Sequence, residues 1–226
     1  VFQMIQFQKD YEISASDKTA LKINDEDLDT FRELGNIGAG NAGNALSQIL
    51  NKKVLLEIPP AKLVPVSDAI TGLAEKNTML VGYAGFMKGF LESNIFLSLP
   101  VEDIENLLQI ILDSDTKKEL TKESDLNNTE KSAITEVFNI LMGHYIAALS
   151  DFLKIKTEPP EYRFFFGKAN NIFKALGADV TKDDTKAVVV ETSIKVADGP
   201  VIRGKFIMFL NPSIVHKVID RITEIW

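Results

Sequence analysis

A glutamate and an asparagine three residues apart, Glu33 and Asn36, recur 103 residues later as Glu136 and Asn139. Residues three apart are neighbours on one helical face, so each pair would set a carboxylate beside a neutral amide. Asp29 and Ser132, each four residues before its glutamate, extend the two rows. A single row of this kind reads most simply as a solvated helix face. Two rows in identical register, while much of the surrounding sequence changes, point to a duplicated site. Competing chemistries are weaker. With no cysteine, the chain has no thiol nucleophile, disulfide or thiolate metal site. His144 and His216 are too far apart in sequence to suggest a metal centre and read as packing or surface residues. Gly38-Ala39-Gly40-Asn41-Ala42-Gly43 fits the dinucleotide fingerprint, but that motif needs a strand before it, and here a capped amphipathic helix comes first. Gly35, Ala39 and Gly43 make better sense as a smooth ridge for close packing, which would offset the roughly 1 kcal/mol each glycine costs a helix.

The rows belong to a longer repeat. Residues 24–53 set against 127–156 give ten identities, among them Asn24/Asn127, Gly40/Gly143, Ser47/Ser150 and Leu50/Leu153. Asn24 with Asp27, and Asn127 with Glu130, have the form of capping pairs, which predicts two long helices ending near Leu50 and Leu153. Runs rich in β-branched and aromatic residues follow. In the first half the expected strands are Val54–Ile58, Thr78–Phe86 and Phe90–Leu99. In the second they are Ile155–Lys156 with Tyr162–Phe166, then Ala187–Val196 and Val201–Leu210. Each half closes with a helix opened by proline, Pro100 before Val101–Leu112 and Pro212 before Ser213–Ile225. The prolines are 112 apart rather than 103, and the nine additional residues are placed near Asn170–Lys186. The pattern predicts an α/β sandwich of pseudo-twofold symmetry, a helix–strands–helix unit used twice, with a largely antiparallel sheet because the strand linkers are hairpin length. Residues 24–226 then form one domain of two repeats, 24–113 and 127–226. Residues 1–23 match neither and are left as an arm or an extra strand.

Composition narrows the partners. A chain of 226 residues, 45% hydrophobic, can bury a sizeable core. No uninterrupted apolar run approaches the roughly 18 residues that cross a bilayer, and no secretion signal opens the chain, so a cytoplasmic protein without membrane insertion is expected. A net charge of −7 argues against nucleic acid and anionic membrane as partners. A protein with a basic face is easier to accommodate.

The row Asp29-x3-Glu33-x2-Asn36, followed after 22 residues by Pro59 and embedded in ELGNIGAGNAGNALSQIL, resembles the CheC family of chemotaxis phosphatases. That family's pattern is Asp or Ser, then Glu, Asn and Pro at these spacings. Ser132, Glu136 and Asn139, with NILMGHYIAALSDFL, resemble its second active-site helix. One departure stands out: after the same 22 intervening residues from the second asparagine comes Tyr162, the nearest prolines being Pro159 and Pro160.

The resemblance implies that the substrate is the aspartyl phosphate of a CheY-like response regulator. An acyl phosphate is already reactive, so a catalyst need only align a water and avoid adding negative charge near the phosphoryl oxygens. Asn36 and Asn139 would hold that water, and Glu33 and Glu136 would dock on a lysine of the regulator. Pro59 would support the first helix through the turn after the first strand. No cofactor is expected in this chain, the magnesium belonging to the regulator. Asp151 and Phe152 resemble the segment with which family members bind CheD, a receptor deamidase, so an interaction module is the alternative. The flagellar switch protein FliY is a third member of the superfamily to weigh. Residues 1–23 lack its acidic-aliphatic peptide and the chain stops just after the last expected helix, so CheC is the better match.

Overall fold

A computed structural model describes residues 36, 40–57, 62–65, 68–69, 79–113, 118–158, 160–169, 171, 186–197, 199–210 and 212–225. Asn36 is helical, and α1 is taken here as the helix over residues 40–50. There follow β1 (Val54–Glu57), β2 (Lys62–Pro65), β3 (Met79–Met87), β4 (Ser93–Pro100), α2 (Val101–Ile111), α3 (Asn128–Leu153), β5 (Tyr162–Lys168), β6 (Lys186–Val196), β7 (Val201–Leu210) and α4 (Pro212–Ile225).

The seven strands form one sheet in the order β1-β6-β7-β4-β3-β5, with β2 also pairing on β6, and every pairing is antiparallel. Exchanging first-half strands for their second-half counterparts (β1 with β5, β3 with β6, β4 with β7) returns the same order reversed. The pseudo-twofold axis therefore passes between β4 and β7, where Phe96 faces Ile207. Alternation along β4 sends Ile95, Leu97 and Leu99 into a core shared with α2, α3 and α4. Phe96 points to the other face and is also fully buried, its ring lying so close over Gly82 that a Cβ there would sit 2.5 Å from it.

The cap pairing expected for the second long helix is present. Asn127 Oδ1 accepts from the Glu130 backbone N–H at 2.9 Å, and Glu130 Oε2 accepts from the Asn127 N–H at 2.7 Å. Lys118 Nζ adds a bond of 2.7 Å to the same carboxylate oxygen. Burial pushes the Glu130 carboxyl up, but the Lys118 bond and the Asn127 N–H outweigh it and leave it below its ordinary value. The equivalent pair Asn24 and Asp27 lies outside the described residues.

Three expectations need correction. Ile155–Lys156 is not a strand: Lys154 turns the chain with φ of 51°, and Ser150 Oγ is bonded to Thr157 Oγ1 at 2.6 Å, which folds this stretch under the helix end. Residues 89–91 form a single 3-10 turn, so β4 starts later than its apolar run. From the start of the hairpin to the proline the chain advances 26 positions in the second half (186 to 212) against 21 in the first (79 to 100), so five of the nine additional residues fall there, mostly in longer strands. A hairpin lengthens by adding ladder pairs, so that insertion leaves the rest of the sheet in register. Most of the loop between Asn170 and Lys186 lies outside the described residues.

By length and composition α3, with 26 residues and a window of mean hydropathy 1.2, could cross a bilayer, but half of that window is buried inside the fold. Its apolar side, including Ile134, Val137, Phe138 and Leu141, is spent on the sheet and neighbouring helices.

Candidate functional site

The outward side of α3 carries the second row. Ser132 and Glu136 are exposed and Asn139 is half-buried. Gly143, also exposed, continues the same side, and exposed Asp151 near the helix end lies about a quarter-turn around from it. Glu136 and Asn139 are three residues apart on a continuous helix, hence about 4.5 Å apart along its axis. Phe152 is half-buried and packs against the core beside Asp151. In the first row Asn36 is helical and exposed. Asp29, Glu33 and Pro59 lie outside the described residues, as do Gly35 and Ala39 of the expected glycine ridge. Gly43, the ridge's described member, is buried with its Cα side 3.5 Å from the Val54 carbonyl oxygen, measured to where a Cβ would be. A Cβ at this position would make only ordinary van der Waals contact with β1, so the approach does not require glycine.

The two helix ends match beyond what their apolar residues require. Ser47 Oγ donates to the Gly43 carbonyl at 2.7 Å and accepts from the Val54 N–H at 2.9 Å. Ser150 Oγ bonds the Ile146 carbonyl at 2.8 Å and Thr157 Oγ1 at 2.6 Å, the same relative positions. Asn51 and Lys154, again 103 apart, both take the left-handed conformation, at φ of 47° and 51°. Asn36 and Asn139 therefore stand the same number of residues before the same terminal device. Ser47 and Ser150 were visible as an identity in the repeat, but their bonding role depends on residues beyond the helix.

Under the second row lies an aromatic floor. Phe138 on α3 is fully buried, its ring centroid 5.6 Å from that of Tyr83 on β3. Tyr83 stacks on Tyr162 of β5 at 4.9 Å. Burial, followed by the nearby Glu136 carboxylate, raises the Tyr83 phenol. Burial, followed by Tyr83, pushes Tyr162 up to about 12. Both phenols are thus neutral donors at physiological pH, and Glu136 is the charged group above them. Sequence reasoning marked Tyr162 only as a missing proline and passed over Tyr83, because nothing local announces a contact between strands 80 residues apart. At the far end of α3, Arg221 on α4 donates from Nε to the Leu153 carbonyl at 3.0 Å, closing the helix end.

What these features define is an α+β domain with a Glu-x-x-Asn row on α3 and, in the other half, a helical and exposed Asn36. A family model described as CheC-like matches this chain twice, over residues 26–61 and 130–162, the segments that contain the two rows. Over these two segments the chain is similar to the CheC-like family. It is 29% identical over 173 residues to the CheY-P phosphatase CheC of Bacillus subtilis, covering 76% of this chain and 81% of that protein. To the flagellar motor switch phosphatase FliY of the same organism it is 25% identical, over 78% of this chain but only 44% of FliY. Among solved structures, Thermotoga maritima FliY superposes with a TM-score of 0.69 at 21% identity, over 90% of this chain and 99% of that one. The FliM middle domain of H. pylori gives 0.58 at 13% identity, over 88% and 99%. These two establish the shared fold.

Proposed function

We propose that this protein is a cytoplasmic phosphatase acting on the aspartyl phosphate of a CheY-type response regulator, with Asn36 and Asn139 holding the attacking water. The observation that carries the reading is the equivalence of the two asparagines: Asn36 is exposed and Asn139 partly so, and both stand the same number of residues before a helix end where a serine bonds the residue seven further on and a left-handed residue turns the chain. The activity printed for the Bacillus subtilis relative supports the substrate class. A neutral amide suits this task because it can orient water without adding negative charge beside a phosphoryl group. Glu33 and Glu136, one turn back, dock on a cation of the regulator and fix the depth of insertion, with Asp29 and Ser132 extending the contact. The magnesium is supplied by the regulator. The same chemistry serves equally as the phosphatase part of a FliY-type switch protein.

The test mixes the protein with a phosphorylated CheY-type regulator and follows loss of phosphate. Asn36→Ala combined with Asn139→Ala removes the acceleration while the circular dichroism spectrum is unchanged. A double variant as active as the parent would refute the role of the amides.

A second reading is supported by the exposure of Asp151 at the end of α3, beside the core-packed Phe152. Here the helix end is a contact for a CheD-type deamidase. Pull-down with CheD, with and without Asp151→Lys, decides it: binding that survives the charge reversal takes Asp151 out of the interface.

A further inference from the structure

The aromatic floor is peculiar to the second half. Phe138 stands where the first copy has Gly35, and Tyr162 stands at the position Pro59 holds relative to Asn36. Tyr162 is seated in a specific way. It faces Gly85 across the β3–β5 ladder, and a Cβ at Gly85 would come within 2.8 Å of its Cδ1 and 3.1 Å of the Pro160 side chain. Gly85 is two residues along β3 from Tyr83, hence on the same face of the sheet. The Tyr162 ring thus fills the gap left by the glycine, against the buried Pro160 on one side and stacked on Tyr83 on the other. Tyr83 in turn meets Phe138, the residue immediately before Asn139.

We propose that Tyr162 is a positioning residue of the second site: wedged between Gly85, Pro160 and Tyr83, it presses Tyr83 against Phe138 and so sets the height at which α3 presents Glu136 and Asn139. This rests on the phosphatase reading for its consequence, though not for its geometry. The contact chain runs through packed rings, so the ring of Tyr162 matters and its hydroxyl does not. Because the first row has neither Phe138 nor Tyr162 at its equivalent positions, the effect is confined to one site.

The experiment uses the full chain and a CheY-type regulator charged with acetyl phosphate. In an Asn36→Ala background, which isolates the second site, Tyr162→Ala lowers kcat roughly tenfold to a hundredfold, the cost of displacing a water-holding group by a fraction of an ångström to an ångström. Tyr162→Phe restores it. Gly85→Ala, which crowds the ring instead of removing it, also lowers kcat. In an Asn139→Ala background, Tyr162→Ala leaves the rate unchanged. An equal loss in both backgrounds, or no loss in the first, overturns the proposal. If the parent or the Asn36→Ala protein shows no phosphatase activity, the side-chain amide NMR signal of Asn139 decides instead. It shifts in Tyr162→Ala and not in Tyr162→Phe, with the Asn36 signal unmoved. An unmoved Asn139 signal refutes the wedge, whereas an inactive parent with a shifted signal refutes only the phosphatase reading.

Discussion

Over residues 47–54 and 150–157 the two halves make matching bonds, a serine bridging each helix end to the segment beyond it and a left-handed residue turning the chain. One turn back they differ. Where α1 buries Ala42 and Gly43, α3 buries Tyr145 and Ile146 at the corresponding places, Leu46 and Leu149 being alike. Gly43 lies against the edge strand β1, a Cβ there meeting the Val54 carbonyl at 3.5 Å, while Tyr145 under α3 stacks on Phe206 at 4.9 Å. The difference teaches which positions a duplicated unit keeps. The Glu-x-x-Asn spacing, Ser47/Ser150 and Leu46/Leu149 recur, whereas exposed Asn41 and Asn44 become His144 and Ala147 and buried Ala42 and Gly43 become Tyr145 and Ile146, so what is kept is the polar row and the helix end rather than one whole face.

The sharpest way to break this comparison is to delete the aromatic support of α3. Phe138→Ala empties a fully buried site and should cost about 3–5 kcal/mol in urea unfolding. A cost below 1 kcal/mol would mean that the two helices are seated more alike than their side chains suggest. Importing the second half's residue into the first, Gly43→Ile, should cost about 1–3 kcal/mol, because the Val54 carbonyl already lies 3.5 Å from the Cβ position. Tolerance of isoleucine there would show that α1 and β1 can part to admit the longer side chain.

Asn127→Ala removes the observed cap and should cost about 1 kcal/mol. Asn24→Ala costs the same if the duplication reaches the start of the first helix, and less if it does not. The acid partner of that cap gives a pH signature. The Glu130 carboxyl is lowered in the folded state, so its contribution is fully present above the ordinary carboxylate range and is lost as pH falls through the lowered folded value. Glu130→Gln should flatten that part of a stability-versus-pH curve. A curve unchanged by the substitution would place the acid sensitivity elsewhere. Smallest in free energy, Asn36→Ala and Asn139→Ala taken singly should each leave about half of the phosphatase rate, as independent sites contribute additively. A single variant that abolishes activity would show that one row works alone.

Local signals carried much of this molecule. The Asn127/Glu130 cap, the two proline-opened helices and the apolar strands other than Ile155–Lys156 are each dictated by neighbours within a few residues and stand close to where the pattern placed them. β2 escaped notice because it is four residues long and ends in Pro65, which a strand tolerates at its margin. The order of the strands was not legible, since alternation tells which face a residue takes and not which strand lies beside it. Tyr83 was missed for the same reason: its partners Phe138 and Tyr162 come from separate elements far along the chain. On the candidate site, the spacing of Glu136 and Asn139 sufficed to put them on one exposed side of α3, but the floor beneath them exists only once the sheet is assembled.

A strand order that reads alike in both directions has a bearing on engineering. The junction between β4 and β7 is an ordinary antiparallel ladder across the axis, from Asn94 with Phe209 to Ser98 with Lys205. A half-length chain would leave β4 as a bare margin whose natural complement is a second β4 running the other way. Split at the linker, the molecule could be rebuilt from one half supplied twice, giving a homodimer with two like copies of whichever row was retained.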